Sequence, residues 1–222
     1  MQSSFNSIQR QSEITKTFAI LSVSALAAFG QPAVDLPRAS PLATVSQSLG
    51  YTTVTVTYSR PGVKDRKIWG GLVPLGKVWR AGANEATAVE FSTDVKVNGH
   101  PLPKGKYGFF IVPDEKEWTL IFSKTTKTWG AFTYDEKDDA LRVKTPPRGA
   151  EFKERVEYGF EDLTASSASL YMQWEKRKVS VGLTVEFLET AKANIKNYAE
   201  ALNSAKLARA EAEKDPNSYW IR

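Results

Sequence analysis

The run VSVGLTVEF, Val179 to Phe187, alternates Val179, Val181, Leu183, Val185 and Phe187 with Ser180, Gly182, Thr184 and Glu186. A period of two sends successive side chains to opposite faces of a sheet, so one face here is apolar and the other polar. A helix would scatter the same residues around its circumference. The stretch reads as a half-buried strand, and it decides the class of the molecule.

The same alternation recurs upstream. TVTVTYS puts Val54, Val56 and Tyr58 on one face and Thr53, Thr55 and Thr57 on the other. VEFSTDVKV sets Val89, Phe91, Val95 and Val97 against Glu90, Ser92, Asp94 and Lys96, and is expected to be one strand. YGFFIV, EWTLIFS, ALRVK, RVEYGFE and SASLYMQW are rich in β-branched and aromatic residues and are bounded by turn formers. Asn98-Gly99 supplies the positive backbone angles of a tight hairpin, and Pro103-Lys104-Gly105 and Pro113-Asp114 mark further reversals. Roughly nine short strands with no helical period between them imply an antiparallel sandwich or open barrel. The expected fold is mainly β, an antiparallel β-sandwich over residues 43–187.

Beyond Phe187 the period changes. Leu188, Ala191, Ile195, Tyr198, Leu202 and Ala205 recur at three and four with Glu, Lys and Asn between them, which predicts a C-terminal amphipathic helix over 188–213 within an appendage of residues 188–222. Asp215-Pro216 stops it, and Tyr219, Trp220 and Ile221 read as the start of a second helix. The narrow apolar stripe has to cover the sandwich flank, a second helix or a protein partner.

At the other end, Arg10 and Lys16 precede TFAILSVSALAAFG, an uncharged run from Thr17 to Gly30 too short to span a bilayer. Residues 1–30 read as a signal peptide with cleavage before Gln31, and QPAVDLPRASP makes residues 31–42 an extended linker. The expected location is periplasmic or secreted, with no membrane span once the signal is removed. Removing the signal takes out Arg10, Lys16 and Glu13 and lowers the formal net charge from +5 to +4. Basic and acidic residues are interspersed, which argues against a nucleic-acid partner. Cysteine is absent, so disulfides, thiol chemistry and a lipoprotein anchor are excluded.

The segments YSRPGVKDRKIWGGLVPLGKVWRAGANEAT, NGHPLPKGKYGFFIVP, EWTLIFSK, WGAFTYDE and LRVK occur in this order between Ser40 and Phe187. In them the chain resembles the domain of unknown function 2911 family, exported proteins common in Bacteroidetes-type bacteria. The family pattern carries a Lys-Gly-Arg step and a Trp-Arg-Thr-Gly-Ala-Asn-Glu motif. Asp65 stands here in place of that glycine and Ala81 in place of the threonine, so a role for the threonine hydroxyl is absent. The resemblance implies export and names no activity.

GKVWRAGANEAT, Gly76 to Thr87, reads as a connection on the rim of the sheet. One reading is a structural corner: an Arg80–Glu85 ion pair, Gly82 in a left-handed turn, Asn84 bonding backbone, and Trp79 as a core plug. The other makes Arg80 a fork for carboxylate or phosphate, with Asn84 and Glu85 as polar partners. Tyr58, Arg60, Lys67 and Trp69, beside Lys64 and Arg66, form a second candidate cluster for an anion, or a solvated loop. Trp118 and Trp174 lie in strand patterns and belong to the core, whereas Trp129 and Tyr134 are the better surface aromatics for a sugar ring.

Catalytic machinery is thin. His100 is the single histidine and sits in a hairpin beside Pro101, so thiol, serine-triad and histidine-metal chemistry lack their residues. Asp135 to Asp139 lacks the glycine and spacing of a calcium loop, and no metal or cofactor is expected. The leading expectation is a non-catalytic module for a small-molecule or glycan ligand. The alternatives are a hydrolase using Glu85 with a carboxylate of residues 135–139 and assisted by Arg80, and a structural protein that docks a partner through helix 188–213.

Overall fold

A computed structural model describes residues 36–214, the side chain of Thr190 apart. The expected signal peptide, the first five residues of the linker (31–35) and the expected helix start at Tyr219 lie outside these residues.

Among the described residues ten strands form two antiparallel sheets. Six strands, β1 (Leu42–Leu49), β2 (Thr52–Ser59), β3 (Thr87–Phe91), β6 (Gly105–Val112), β7 (Trp118–Ser123) and β8 (Asp139–Thr145), lie in the order β1-β2-β3-β6-β7-β8. Four strands, β4 (Val95–Val97), β5 (His100–Leu102), β9 (Arg148–Glu161) and β10 (Ser167–Thr184), lie in the order β5-β4-β10-β9. Among the described residues one α-helix, α1 (Phe187–Lys214), follows.

The alternating residues behave as their period requires. Val54 and Val56 are fully buried, whereas Thr53 on the other face is exposed. One continuous core draws Val56, Phe91, Phe109 and Phe122 from the larger sheet and Val97, Leu170, Trp174 and Leu183 from the smaller. Each such side chain contributes about 1.5–3 kcal/mol by leaving water. Tyr58 and Tyr158 join the sheets edge to face at 4.6 Å, and the Tyr58 hydroxyl accepts from the Tyr158 amide at 3.2 Å.

Two strand assignments need correction. VEFSTDVKV is two strands in different sheets, because Ser92-Thr93-Asp94 carries the chain from β3 across to β4. SASLYMQW and VSVGLTVEF are one strand of 18 residues, β10, which continues through the charged run at 175–178. A bulge makes this possible: the pairing with β9 shifts register on both sides of Glu175, which sits at φ 53°. The alternation stops at Thr184, and Phe187 already belongs to the helix.

The Asn98-Gly99 hairpin joins β4 to β5 as expected, at φ 48° and 83°. Phe110, Ile121 and Ala86 form a second small cluster with Ala131 and Tyr134 packed against it. A Cβ on Gly108 would stand 2.3 Å from the Thr125 carbonyl oxygen, so the segment after β7 lies directly on β6 there. α1 keeps Leu188, Ile195 and Tyr198 of its apolar stripe about two-thirds exposed, so along the described residues the stripe covers no flank of the sandwich. No helix among the described residues is long and apolar enough to cross a membrane.

Candidate functional site

The Gly76–Thr87 connection is a tightly bonded corner. Trp79 and Ile111 exchange backbone hydrogen bonds of 2.8 and 2.9 Å, which pins the start of the corner onto β6. The buried Trp79 ring donates from Nε1 to the Gly82 carbonyl at 3.1 Å, so it is the expected core plug. The Ala81 carbonyl accepts from Thr87 Oγ1 at 3.0 Å and from the Tyr158 hydroxyl at 2.7 Å. Asn84 Nδ2 donates to the Ser40 carbonyl and the Ser59 hydroxyl at 3.2 and 3.3 Å.

Between Arg80 and Glu85 the left-handed residues are Ala81 at φ 54° and Asn84 at φ 58°, rather than Gly82. Glycine is needed at 82 for space, since a Cβ there would stand 2.9 Å from Thr87 Oγ1 and 3.0 Å from the Ser59 carbonyl oxygen. The two left-handed turns send neighbouring side chains in different directions. Arg80 and Glu85 therefore do not pair: the Glu85 carboxylate takes Arg38 Nη1 at 2.9 Å on each oxygen. A backbone hydrogen bond and, after it, Arg38 hold the Glu85 carboxyl below its ordinary pKa, although burial opposes them.

Arg80 lines a cavity of about 310 Å³ together with Arg66, Asn84, Leu72, Trp79 and Trp174. Glu85 lines a separate cavity of about 280 Å³ with Arg38, Tyr58 and Lys106. Arg80 is partly buried, its buried Nε has no hydrogen-bond partner, and among the described residues no carboxylate pairs with it. Burial accordingly lowers the guanidinium pKa from its ordinary value. Arg66 also lines the cavity and is braced by backbone: Nε and Nη2 donate to the Val63 and Gly62 carbonyls at 3.0 and 2.6 Å. Consecutive left-handed residues Lys64 and Asp65, at φ 48° and 55°, form the turn before it. That conformation accounts for a glycine at 65 in the family pattern.

The other sequence candidates scatter. Arg60 is occupied, donating Nε to the Val156 carbonyl at 2.9 Å and lying 3.9 Å from Glu157. Lys67 is exposed. Trp69 is part of the core, packed against Trp79, Trp118 and Trp174 at ring distances of 5.9, 4.5 and 5.9 Å. Tyr58 is buried between the sheets. Trp129 is exposed, as expected, and Phe132 beside it is 89% exposed, an aromatic that the sequence reading passed over.

Tyr134 does not join Trp129 as a surface aromatic. Its ring packs on Phe110 at 5.1 Å, and its hydroxyl donates to Asp139 Oδ2 at 2.7 Å. Burial, then the Asp139 contact, raises the Tyr134 pKa. Asp139 is raised by burial, against the lowering effects of the Tyr134 hydrogen bond and of Arg142 at 3.4 Å. Asp135 caps a single 3-10 turn, Glu136–Asp138, by accepting from the Lys137 amide at 3.0 Å. His100 opens β5 and is exposed.

No curated protein and no solved structure matches the chain. A family model described as "Protein of unknown function (DUF2911)" matches residues 40–183, a span that takes in both sheets and the Arg80 corner and leaves out α1. The chain belongs to that family.

Proposed function

We propose that the domain is a non-catalytic binding module for a small ligand carrying a carboxylate or phosphate, held in the Arg80 cavity. The observation that carries this reading is Arg80 itself, a partly desolvated cation with an unpartnered buried Nε on the wall of a cavity that also holds Arg66. A cation withdrawn from water without a counter-charge costs free energy, and an anionic group seated there offsets that cost. Trp79, Trp174 and Leu72 supply apolar wall beside the charges, the mixture expected of a ligand pocket. The volume suits a monosaccharide acid or something smaller, near the lower end of the roughly 300–1,000 Å³ usual for such sites.

The hydrolase reading has less support. Glu85 is held ionised by a backbone hydrogen bond and, after it, by Arg38, the opposite of what a general acid needs. None of residues 135–139 lines the cavity that contains Glu85.

The test is a thermal-shift titration of the protein with inorganic phosphate, glucuronate and neutral glucose. The expected result is a rise in melting temperature with the anions and none with glucose, and loss of that rise in Arg80→Gln. A ligand at a hundredfold excess over its Kd stabilises the native state by about 2.7 kcal/mol. Equal shifts in wild type and Arg80→Gln, or no shift with either anion, overturn the proposal.

A further inference from the structure

The exposed stripe of α1 has a spacing that a lone surface helix does not need. Positions 188, 191, 195, 198, 202, 205, 209 and 212 alternate steps of three and four, which is the seam of a coiled coil. Its residues are Leu188, Ala191, Ile195, Tyr198, Leu202, Ala205, Arg209 and Ala212. Ile195 and Tyr198 are 69% and 67% exposed and Leu202 43%, so the seam is uncovered along the described helix.

Volume and charge along the seam identify what covers it. In a parallel pair of identical helices Arg209 meets Arg209 and Ala205 meets Ala205, which places like charges and a gap in the seam. In an antiparallel pair centred between Leu202 and Ala205, Leu202 faces Ala205 of the second copy and Ile195 faces Ala212, so these two bulky residues each meet a small one. Tyr198 then faces Arg209, a cation over an aromatic ring. The flanking Lys192 and Glu213, which within the helix pair with Glu189 at 2.7 Å and Arg209 at 3.1 Å and whose side chains stay 71% and 67% exposed, come opposite each other at both ends. Sliding the pair by one heptad would instead set Lys192 against Lys206.

We propose that α1 is a homodimerisation element, pairing antiparallel with α1 of a second copy of this chain in the Leu202–Ala205 register. The pairing leaves the Arg80 cavity to its own chemistry and does not rest on the ligand reading.

Sedimentation equilibrium on the full chain tests this, with Leu202→Glu, Lys192→Glu, Glu213→Lys and the double charge reversal as variants. Wild type is expected to dimerise in the micromolar range and Leu202→Glu to stay monomeric with unchanged helical circular dichroism. Each single charge reversal is expected to raise the dimer Kd about fivefold, close to 1 kcal/mol, and the double reversal to return it near wild type. Within one helix positions 192 and 213 are roughly 31 Å apart, so their coupling has to come from between copies. A chain that stays monomeric at every concentration overturns the dimer. A dimer insensitive to Leu202→Glu, or one in which the two charge reversals simply add, overturns the antiparallel register.

Discussion

Arg38 reaches across 47 positions of chain to Glu85 and donates from Nη1 to both carboxylate oxygens at 2.9 Å. The pair ties the segment before β1 to the end of the Arg80 corner, and both side chains are about half exposed. Exposed pairs of this kind contribute about 0.2–1 kcal/mol. Glu85→Gln is therefore expected to lower the melting temperature by no more than about 4 °C in a domain of this size. The pH dependence has a definite sign. The folded Glu85 pKa lies below its unfolded value, so the contribution is present above the unfolded pKa and fades as pH falls through the folded one. Melting curves of wild type and Glu85→Gln should accordingly converge on acidification.

Arg80 predicts the opposite of ordinary mutational damage. Its guanidinium is desolvated without a counter-charge, so Arg80→Met removes that penalty while keeping apolar bulk. Chemical denaturation should show Arg80→Met equal to or more stable than wild type, by up to about 1 kcal/mol. A loss above about 2 kcal/mol would mean that Arg80 makes stabilising contacts of its own.

Tyr134 and Asp139 offer a titration. Tyr134→Phe removes a hydrogen bond that lowers the Asp139 pKa, so the Asp139 pKa should rise above its already raised wild-type position in carboxyl NMR. Because the folded pKa lies above the unfolded one, the Asp139 contribution favours the fold at low pH and is lost as pH rises through the folded pKa. The variant should thus lose more stability near neutral pH than in acid.

Two glycines of the sheets separate backbone from side-chain obstruction. A Cβ at Gly108 meets the Thr125 carbonyl at 2.3 Å, whereas one at Gly159 meets the far end of Tyr171, its hydroxyl oxygen at 2.4 Å. The Tyr171 ring can swing aside, and the backbone of a packed segment cannot do so cheaply. Gly108→Ala should cost about 2–3 kcal/mol and Gly159→Ala about 1 kcal/mol or less, as read by denaturant midpoints.

Period two made the strands legible, and the places where it misled share a cause. From Phe91 to Val95 is an even number of steps, so alternation runs unbroken through Ser92-Thr93-Asp94 while the chain passes from one sheet to the other, both residues still facing the shared core. Glu175 to Lys178 resembles a charged turn because the signal for a bulge, a non-glycine residue at positive φ, lies in backbone geometry and not in composition. At the site, Trp79 as a plug and Asn84 as a backbone-bonding residue were readable from their types. The Glu85 partner was not, because proximity in sequence favoured Arg80 and nothing local points to Arg38. Trp69 looked like part of a basic loop by its neighbours, yet only contacts made by distant strands place it in the core.

Trp79 lies against Trp174 with the rings 19° from parallel and 5.6 Å apart, and both indoles border the Arg80 cavity. Indoles held this close share their electronic excitations, so the protein carries an intrinsic optical probe: a paired ultraviolet dichroism band that depends on the relative tilt of the two chromophores. Occupancy of the neighbouring hollow becomes observable in the unlabelled molecule as a change in the shape of that band.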